Sequence, residues 1–301
     1  MGSRSRYVVA EMHGRLGSQL FEYASCYAVA RRRGVDLKFV NGTVAEGHLL
    51  LADLLGPGYR EVDTWEKLSV GLFPWKMPFP PAWQALTSRV VDLLRRVVGR
   101  GPSSVERWLP ASVYQPDLFD LDLPVRIRGH LQSEKYFEDY ADDLVASLQW
   151  PTPRPALPEG IGSSIAVSFR RGDYNSLDWT LPLSYYDEAI ELVLAKFPDS
   201  TLVFFGDDSA FIELAIDRYA RLGRTLNALD VGRDPISQLA LMAACDHCII
   251  SNSSFAWWGA WLGDRMHPRG DRVVVSPREY GEEGDRVPER WLTLRTGSTV
   301  F

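Results

Sequence analysis

The sequence predicts an α/β protein made of two units, each built on a parallel sheet. Three observations carry that prediction. The chain opens with a strand, a glycine turn, a helix and a second strand; a stretch at 149–158 holds four prolines; and beyond it strands alternate with helices. The 301-residue length suits two units of about 150 residues. With 46% hydrophobic and 24% charged residues, the composition matches a packed core and excludes wholesale disorder.

In chain order, 7–10 has strand character, 13–19 is the glycine loop, 20–33 is a helix closed by Gly34, and 35–40 is the next strand. Such an order needs crossover helices over a parallel sheet. Residues 41–125 read poorly as a continuation, because 72–83 packs aromatics between prolines that forbid long regular elements. The run 90–98 has helical spacing with a basic flank. We read it as a core-facing helix, with peripheral membrane contact through 72–98 as the second reading. The proline stretch at 149–158 favours extended backbone and separates the N-terminal unit, 1–150, from the C-terminal unit, 159–301. The second unit reads as strand 165–169, helix 183–197, strand 201–205, helix 210–222, helix 235–244, strand 247–250 and strand 272–276.

A net charge of −6 argues against nucleic acid as a partner. Three cysteines, Cys26, Cys245 and Cys248, are too few for a disulfide framework or a zinc site and read as reduced thiols. No apolar run reaches the ~18 residues of a membrane span, and the N-terminus lacks a signal-peptide pattern, so a cytoplasmic protein is expected.

The distinctive polar clusters fall at strand ends, where open α/β sheets bind ligands. Arg170 and Arg171 follow the strand 165–169, and guanidinium forks fit phosphate oxygens bidentately. The alternative is an ion network with Asp173 or Asp207. Gly14-Arg15-Leu16-Gly17 opens a helix whose free N–H groups can receive an anion, and it is not the dinucleotide fingerprint. In the turn 251–254, hydroxyl and backbone donors can hold phosphate or ribose oxygens, or simply cap a helix whose Trp257 and Trp261 enter the core. Asp207 and Asp208 can orient a sugar hydroxyl or form a solvated loop tip. Asp120-Leu121-Asp122 spells an acid-x-acid pattern in a proline-bounded loop, and we assign it no metal. The histidines lack metal-ligand spacing.

Taken together, the segments resemble the α-1,2-fucosyltransferase family, glycosyltransferase family eleven. The match rests on four of them: 14–23 (family pattern Gly-Gly-Leu-Gly-Asn-Gln-Leu-Phe-Gln-Tyr), 132–137, 168–174 (family pattern His-x-Arg-Arg-Gly-Asp-Tyr) and 245–262. The resemblance implies two Rossmann-like domains facing a cleft (GT-B type), the first on the acceptor side and the second binding the nucleotide sugar. It implies metal-independent, inverting transfer of fucose from GDP-fucose to a glycan or glycoside hydroxyl, with no cofactor beyond the donor substrate. Arg170 would stabilise departing GDP, supported by Arg171, with Asp173 as a catalytic candidate and Glu134 as an acceptor-side or base candidate. Donor contacts would come from Gly14, Gly17 and Gln19 in the first unit. In the second they would come from Ser168, Tyr174, Asp207, Asp208 and Gln238, and from Asn252, Ser253, Ser254 and Phe255.

Three positions depart from the family pattern. Ser168 replaces the motif histidine, Ser18 replaces the loop asparagine, and Gln238 stands where relatives carry an aspartate. A carboxylate accepts from both guanine N1–H and its 2-amine, whereas a glutamine carbonyl accepts less strongly and adds a donor. Two alternatives follow: a different nucleotide-sugar donor, or a non-catalytic nucleotide-sugar-binding protein.

Overall fold

The computed structural model describes residues 6–44, 49–70, 104–107, 112–267, 270–280 and 284–297. The expected helix at 90–98 and the segment 72–98 lie outside these residues. Two sheets organise the chain. One contains β1 (Tyr7–Gly14), β2 (Asp36–Val44), β3 (Ser104–Arg107) and β4 (Val125–Gly129) in the order β2-β1-β4-β3, all parallel. The other contains β5 (Ser164–Phe169), β6 (Thr201–Gly206), β7 (Thr225–Asn227), β8 (His247–Ile249), β9 (Val274–Pro277) and β10 (Leu292–Leu294). Its order is β10-β9-β8-β5-β6-β7, again all parallel. The stretch 149–158 lies between the two sheets without helix or strand. Two parallel sheets, each with its own helices, match the two-domain architecture that the resemblance implied.

β1 and β5 are central strands, and their apolar runs are buried on both faces, as a covered parallel sheet requires. Helix α1 (Leu16–Arg33) starts four residues earlier than the glycine loop suggested. Gly14 adopts φ +66°, which lets the chain leave β1 and enter the helix almost at once. Gly34 ends α1 in the left-handed conformation, and Arg31, Arg32 and Arg33 occupy the last turn, where the helix dipole favours cations.

The region expected to be irregular holds short elements, α2 (Leu50–Leu55), α3 (Thr64–Ser69) and the strand β3, and β4 starts at its last residue. α3 is fixed by a reciprocal cap, in which Glu66 N–H donates to Asp63 Oδ1 at 2.8 Å and Asp63 N–H donates to Glu66 Oε2 at 2.9 Å. Elements this short carry little periodicity and are held by their partners in the sheet. Helix α4 (Ala141–Ser147) meets α1 through a Tyr23–Ser147 hydroxyl contact at 2.8 Å.

The second sheet carries α5 (Leu183–Lys196), α6 (Ser209–Tyr219), α7 (Pro235–Ala244) and α8 (Ser254–Met266). α7 starts with Pro235 in its first turn and Asp234 as its N-cap, accepting from Ser237 N–H at 2.9 Å. α8 joins the two sheets by packing on α1. Phe21 sits 4.5 Å from Trp257 and 5.1 Å from Trp258 between ring centroids, and Phe137 stacks on Trp258 at 5.4 Å. Trp257, Trp258 and Trp261 are all buried, and such rings add edge and stacking terms to their large buried area. Among the described residues no helix is long and apolar enough to cross a membrane.

The close approach of α1 and α8 depends on Gly17. A Cβ there would lie 2.6 Å from the Ser254 carbonyl carbon, a backbone atom that cannot step aside. Gly17→Ala should therefore destabilise the protein by about 1–3 kcal/mol, the usual cost of overpacking. That loss corresponds to a melting midpoint lower by about 2–4 °C per kcal/mol, measurable by calorimetry. An unchanged midpoint would mean the two helices are free to separate.

Candidate active site

Ligands of open parallel sheets sit beyond the carboxyl ends of the strands, where the strand order reverses. In the second sheet the reversal falls between β5 and β8, so the crevice opens between the residues after Phe169 and the turn 251–254. In the first sheet it falls between β1 and β4, where the glycine turn after β1 sits. The two openings form one cleft of about 780 Å³, which both sheets line. A smaller cavity of about 300 Å³ lies at the opposite strand ends, against Asp246 and His247, and includes none of the predicted site residues.

Arg170 lies at the cleft, its side chain mostly covered. It donates to Asp173 Oδ1 at 2.6 Å, pairs closely with Asp207, and lies 5.0 Å from the centroid of the Tyr174 ring. Asp207 also accepts from the backbone N–H groups of Arg171 at 2.9 Å and Gly172 at 3.1 Å, which fixes the loop after β5 to the end of β6. The ion network envisaged as an alternative is thus present, and it faces the cleft. A guanidinium has five N–H donors, so two carboxylate bonds leave three to meet a ligand while holding the fork in place.

The structure brings most of the other predicted residues to this cleft. Gly14 and Gly17 line it from the first sheet; Ser168, Asp173, Tyr174, Asp207 and Gln238 line it from the second, with Ser253, Ser254 and Phe255 at the start of α8. Neither Arg15, the N-cap of α1, nor Ser253, the N-cap of α8, makes a side-chain cap bond. Ser253 therefore does not serve as the hydroxyl cap considered from the sequence. The first N–H groups of two helices are left facing one cleft, the arrangement that receives anions.

Five predicted residues do not line the cleft. Arg171 lies 4.0 Å from the centroid of the Phe211 ring, with Asp208 3.7 Å away. Asp208 caps α6, accepting from Phe211 N–H at 3.1 Å. Gln19 is fully buried: its amide donates to Gly14 O at 3.1 Å and accepts from Leu51 N–H at 3.1 Å, so it shapes the glycine turn. Asn252 is buried; its side-chain amide donates to Trp179 O at 2.9 Å, while its backbone carbonyl accepts from Tyr174 O–H at 3.2 Å. Glu134 is held by Arg290 at 2.7 Å and accepts from Trp261 Nε1–H at 2.9 Å, which ties Arg290 to α8. Asp120 and Asp122 are exposed and also lie off the cleft.

Two charged residues of the cleft were not among the predicted site residues. Arg15 and Arg233 are exposed and line opposite walls, and among the described residues neither has an ion-pair or hydrogen-bond partner for its guanidinium. An exposed arginine in a turn gives no sequence signal of its own.

The model of glycosyl transferase family 11 matches residues 125–271. The chain is 25% identical to an alpha-1,2-colitosyltransferase of Escherichia coli, covering 95% of this chain and 98% of that one. It is 29% identical to the O-antigen biosynthesis glycosyltransferase WbnK of Escherichia coli, over 94% of this chain and 99% of that one. The chain thus resembles glycosyltransferase family 11 as a divergent relative. Its fold is similar to that of an Arabidopsis thaliana FUT1 mutant in complex with GDP, with a TM-score of 0.51, 12% identity, and coverage of 93% of this chain and 72% of that one. The protein is therefore a glycosyltransferase of the fucosyltransferase-like type.

Behind the glycine turn of this glycosyltransferase lies a buried charge cluster. His13 Nε2 is 3.3 Å from Glu11 and its Nδ1 is 3.6 Å from Glu22, while Arg126 approaches Glu11 to 3.3 Å and Arg128 to 3.7 Å. Burial works to lower the His13 pKa, but its contacts with Glu11 and Glu22 outweigh burial and hold it at about 9, above the ordinary 6.5. Burial pushes Glu22 up to about 7 from 4.5, against the pull of His13. Both groups bind protons more tightly folded than unfolded, so both favour the fold at low pH. The His13 contribution is whole below pH 6.5 and is lost as pH rises through 9; that of Glu22 is whole below 4.5 and is lost through 7. The melting midpoint should fall as pH rises from about 6.5 to 9, and His13→Gln should flatten that decline. A wild-type midpoint independent of pH across this window would contradict the assignment.

Proposed function

We propose that the protein transfers fucose from GDP-fucose to a hydroxyl of a glycan or glycoside acceptor, with inversion at the anomeric carbon. The observation that carries this reading is Arg170, which lines the cleft at the strand-order reversal of the second sheet and is fixed there by two carboxylates that leave three of its five donors outside those bonds. The acceptor oxygen attacks the anomeric carbon from the face opposite GDP and the bond to the β-phosphate oxygen breaks. The electron pair moves onto the diphosphate, where Arg170 and the α8 N-terminus meet the developing charge. These groups do the work a metal ion would do, so a chelator should leave turnover unchanged. Asp173 lines the cleft with one carboxylate oxygen outside its bond to Arg170, and that oxygen receives the acceptor proton.

Gln238 supports guanine despite replacing an acidic residue. Its amide nitrogen donates to Ala228 O at 2.9 Å and also bonds Gly232 O. Two carbonyls on one side define which end of the amide is nitrogen, leaving the oxygen outside those bonds as an acceptor on a residue that lines the cleft. The unwanted donor is thereby removed, and the base meets an acceptor as it would at a carboxylate. A solved structure similar in fold is described in complex with GDP, and relatives are named as fucosyl- and colitosyltransferases.

A second reading, transfer from another nucleotide sugar, is favoured by Ser168 at the cleft wall, where the family histidine ring is missing. Thermal shifts across GDP, UDP, dTDP and ADP separate the two, with the largest shift expected for GDP. Incubation with GDP-fucose and a galactoside panel should release GDP and form product, and Arg170→Ala should lower that rate about 100-fold or more while the protein stays folded. Release of neither GDP nor product by the wild type would overturn the proposal.

A further inference from the structure

Charge at the cleft does not balance on Arg170 alone. Its guanidinium faces two carboxylates, Asp173 and Asp207, so this trio is locally anionic before a doubly negative diphosphate arrives. Arg171 offers no relief, since it lies against Phe211 and Asp208 outside the cleft. Among the described residues the remaining cations of the lining are Arg15, from the first sheet, and Arg233, from the second.

The two arginines are presented in the same way. Gln19 donates its amide N–H to the carbonyl of Gly14, the residue before Arg15. Gln238 bonds the carbonyl of Gly232, the residue before Arg233. Both glutamines are buried members of helices flanking the cleft, so each fixes the backbone that carries an arginine while leaving its side chain exposed. A solvated surface arginine needs no such support. On the second wall the residue whose carbonyl oxygen meets the base also sets the neighbouring cation.

We infer that Arg15 and Arg233 form a cross-cleft clamp on the donor diphosphate, one guanidinium from each sheet, and that Gln19 and Gln238 are its positioning residues. Arg170 then acts on the charge that develops as the sugar leaves, while the clamp supplies the attraction that admits the donor. Because Arg15 belongs to the first sheet, diphosphate binding draws the two walls together.

The inference rests on the glycosyltransferase reading, and the test separates the two by including a probe without a base. Calorimetric titration of the full chain with GDP, inorganic pyrophosphate and guanosine should show that Arg15→Gln and Arg233→Gln each weaken GDP and pyrophosphate about tenfold or more. Guanosine affinity and the melting midpoint should stay at wild-type values, and Arg15→Lys and Arg233→Lys should keep part of the anion affinity. Pyrophosphate affinity equal to wild type in both glutamine variants would overturn the clamp, as would a parallel loss for guanosine or a wild type that binds neither anion. Arginine-dependent pyrophosphate binding, with GDP no tighter than UDP or ADP, would support the clamp and sink the guanine reading alone.

Discussion

Helix α1 rests on helix α8 at a glycine, and the placement of every group in the cleft follows from that contact. With no side chain at Gly17, the first turn of α1 reaches the backbone of Ser254 and Phe255, and the aromatic layer of Phe21, Trp257 and Trp258 closes behind it. The glycine turn of one sheet is thereby held opposite the strand ends of the other. Two helix N-termini and three guanidinium groups then share one cleft with two carboxylates. Neither sheet alone provides that combination, and bringing it together is the electrostatic work of the fold.

The carboxylates around Arg170 have an ordering role. Asp207 binds the guanidinium and two consecutive backbone N–H groups, so the loop after β5 cannot drift from the end of β6. Asp173 restrains the other side of the fork. Such restraint lowers the reorganisation needed when charge builds on a leaving group, at the cost of local positive potential, which Arg15 and Arg233 restore across the cleft.

Much of this was legible in the sequence, for identifiable reasons. β5 is a buried apolar run followed abruptly by charge, and α7 carries an N-cap and a proline in its first turn, so both could be read from local pattern. Roles that depend on distant partners could not. Glu134 looks like a free carboxylate until Arg290, 156 residues away, is seen to hold it. Gln19 looks like a loop ligand until α1 is found to begin at Leu16, which turns the amide inward onto Gly14 and Leu51. Asp208 and Asp207 are adjacent and alike in sequence, yet one caps a helix and the other lines the cleft. The short elements of the first sheet escaped because strand pairing, and not periodicity, sustains them.

The central claim is that a nucleotide diphosphate lies between the glycine turn of the first sheet and the end of β5 in the second. A crystal structure of the GDP complex tests it most directly. The account predicts diphosphate oxygens within hydrogen-bond distance of the Arg170 guanidinium, with the guanine edge on the Gln238 oxygen. GDP bound elsewhere, or a diphosphate with Arg170 touching only Asp173 and Asp207, would contradict it.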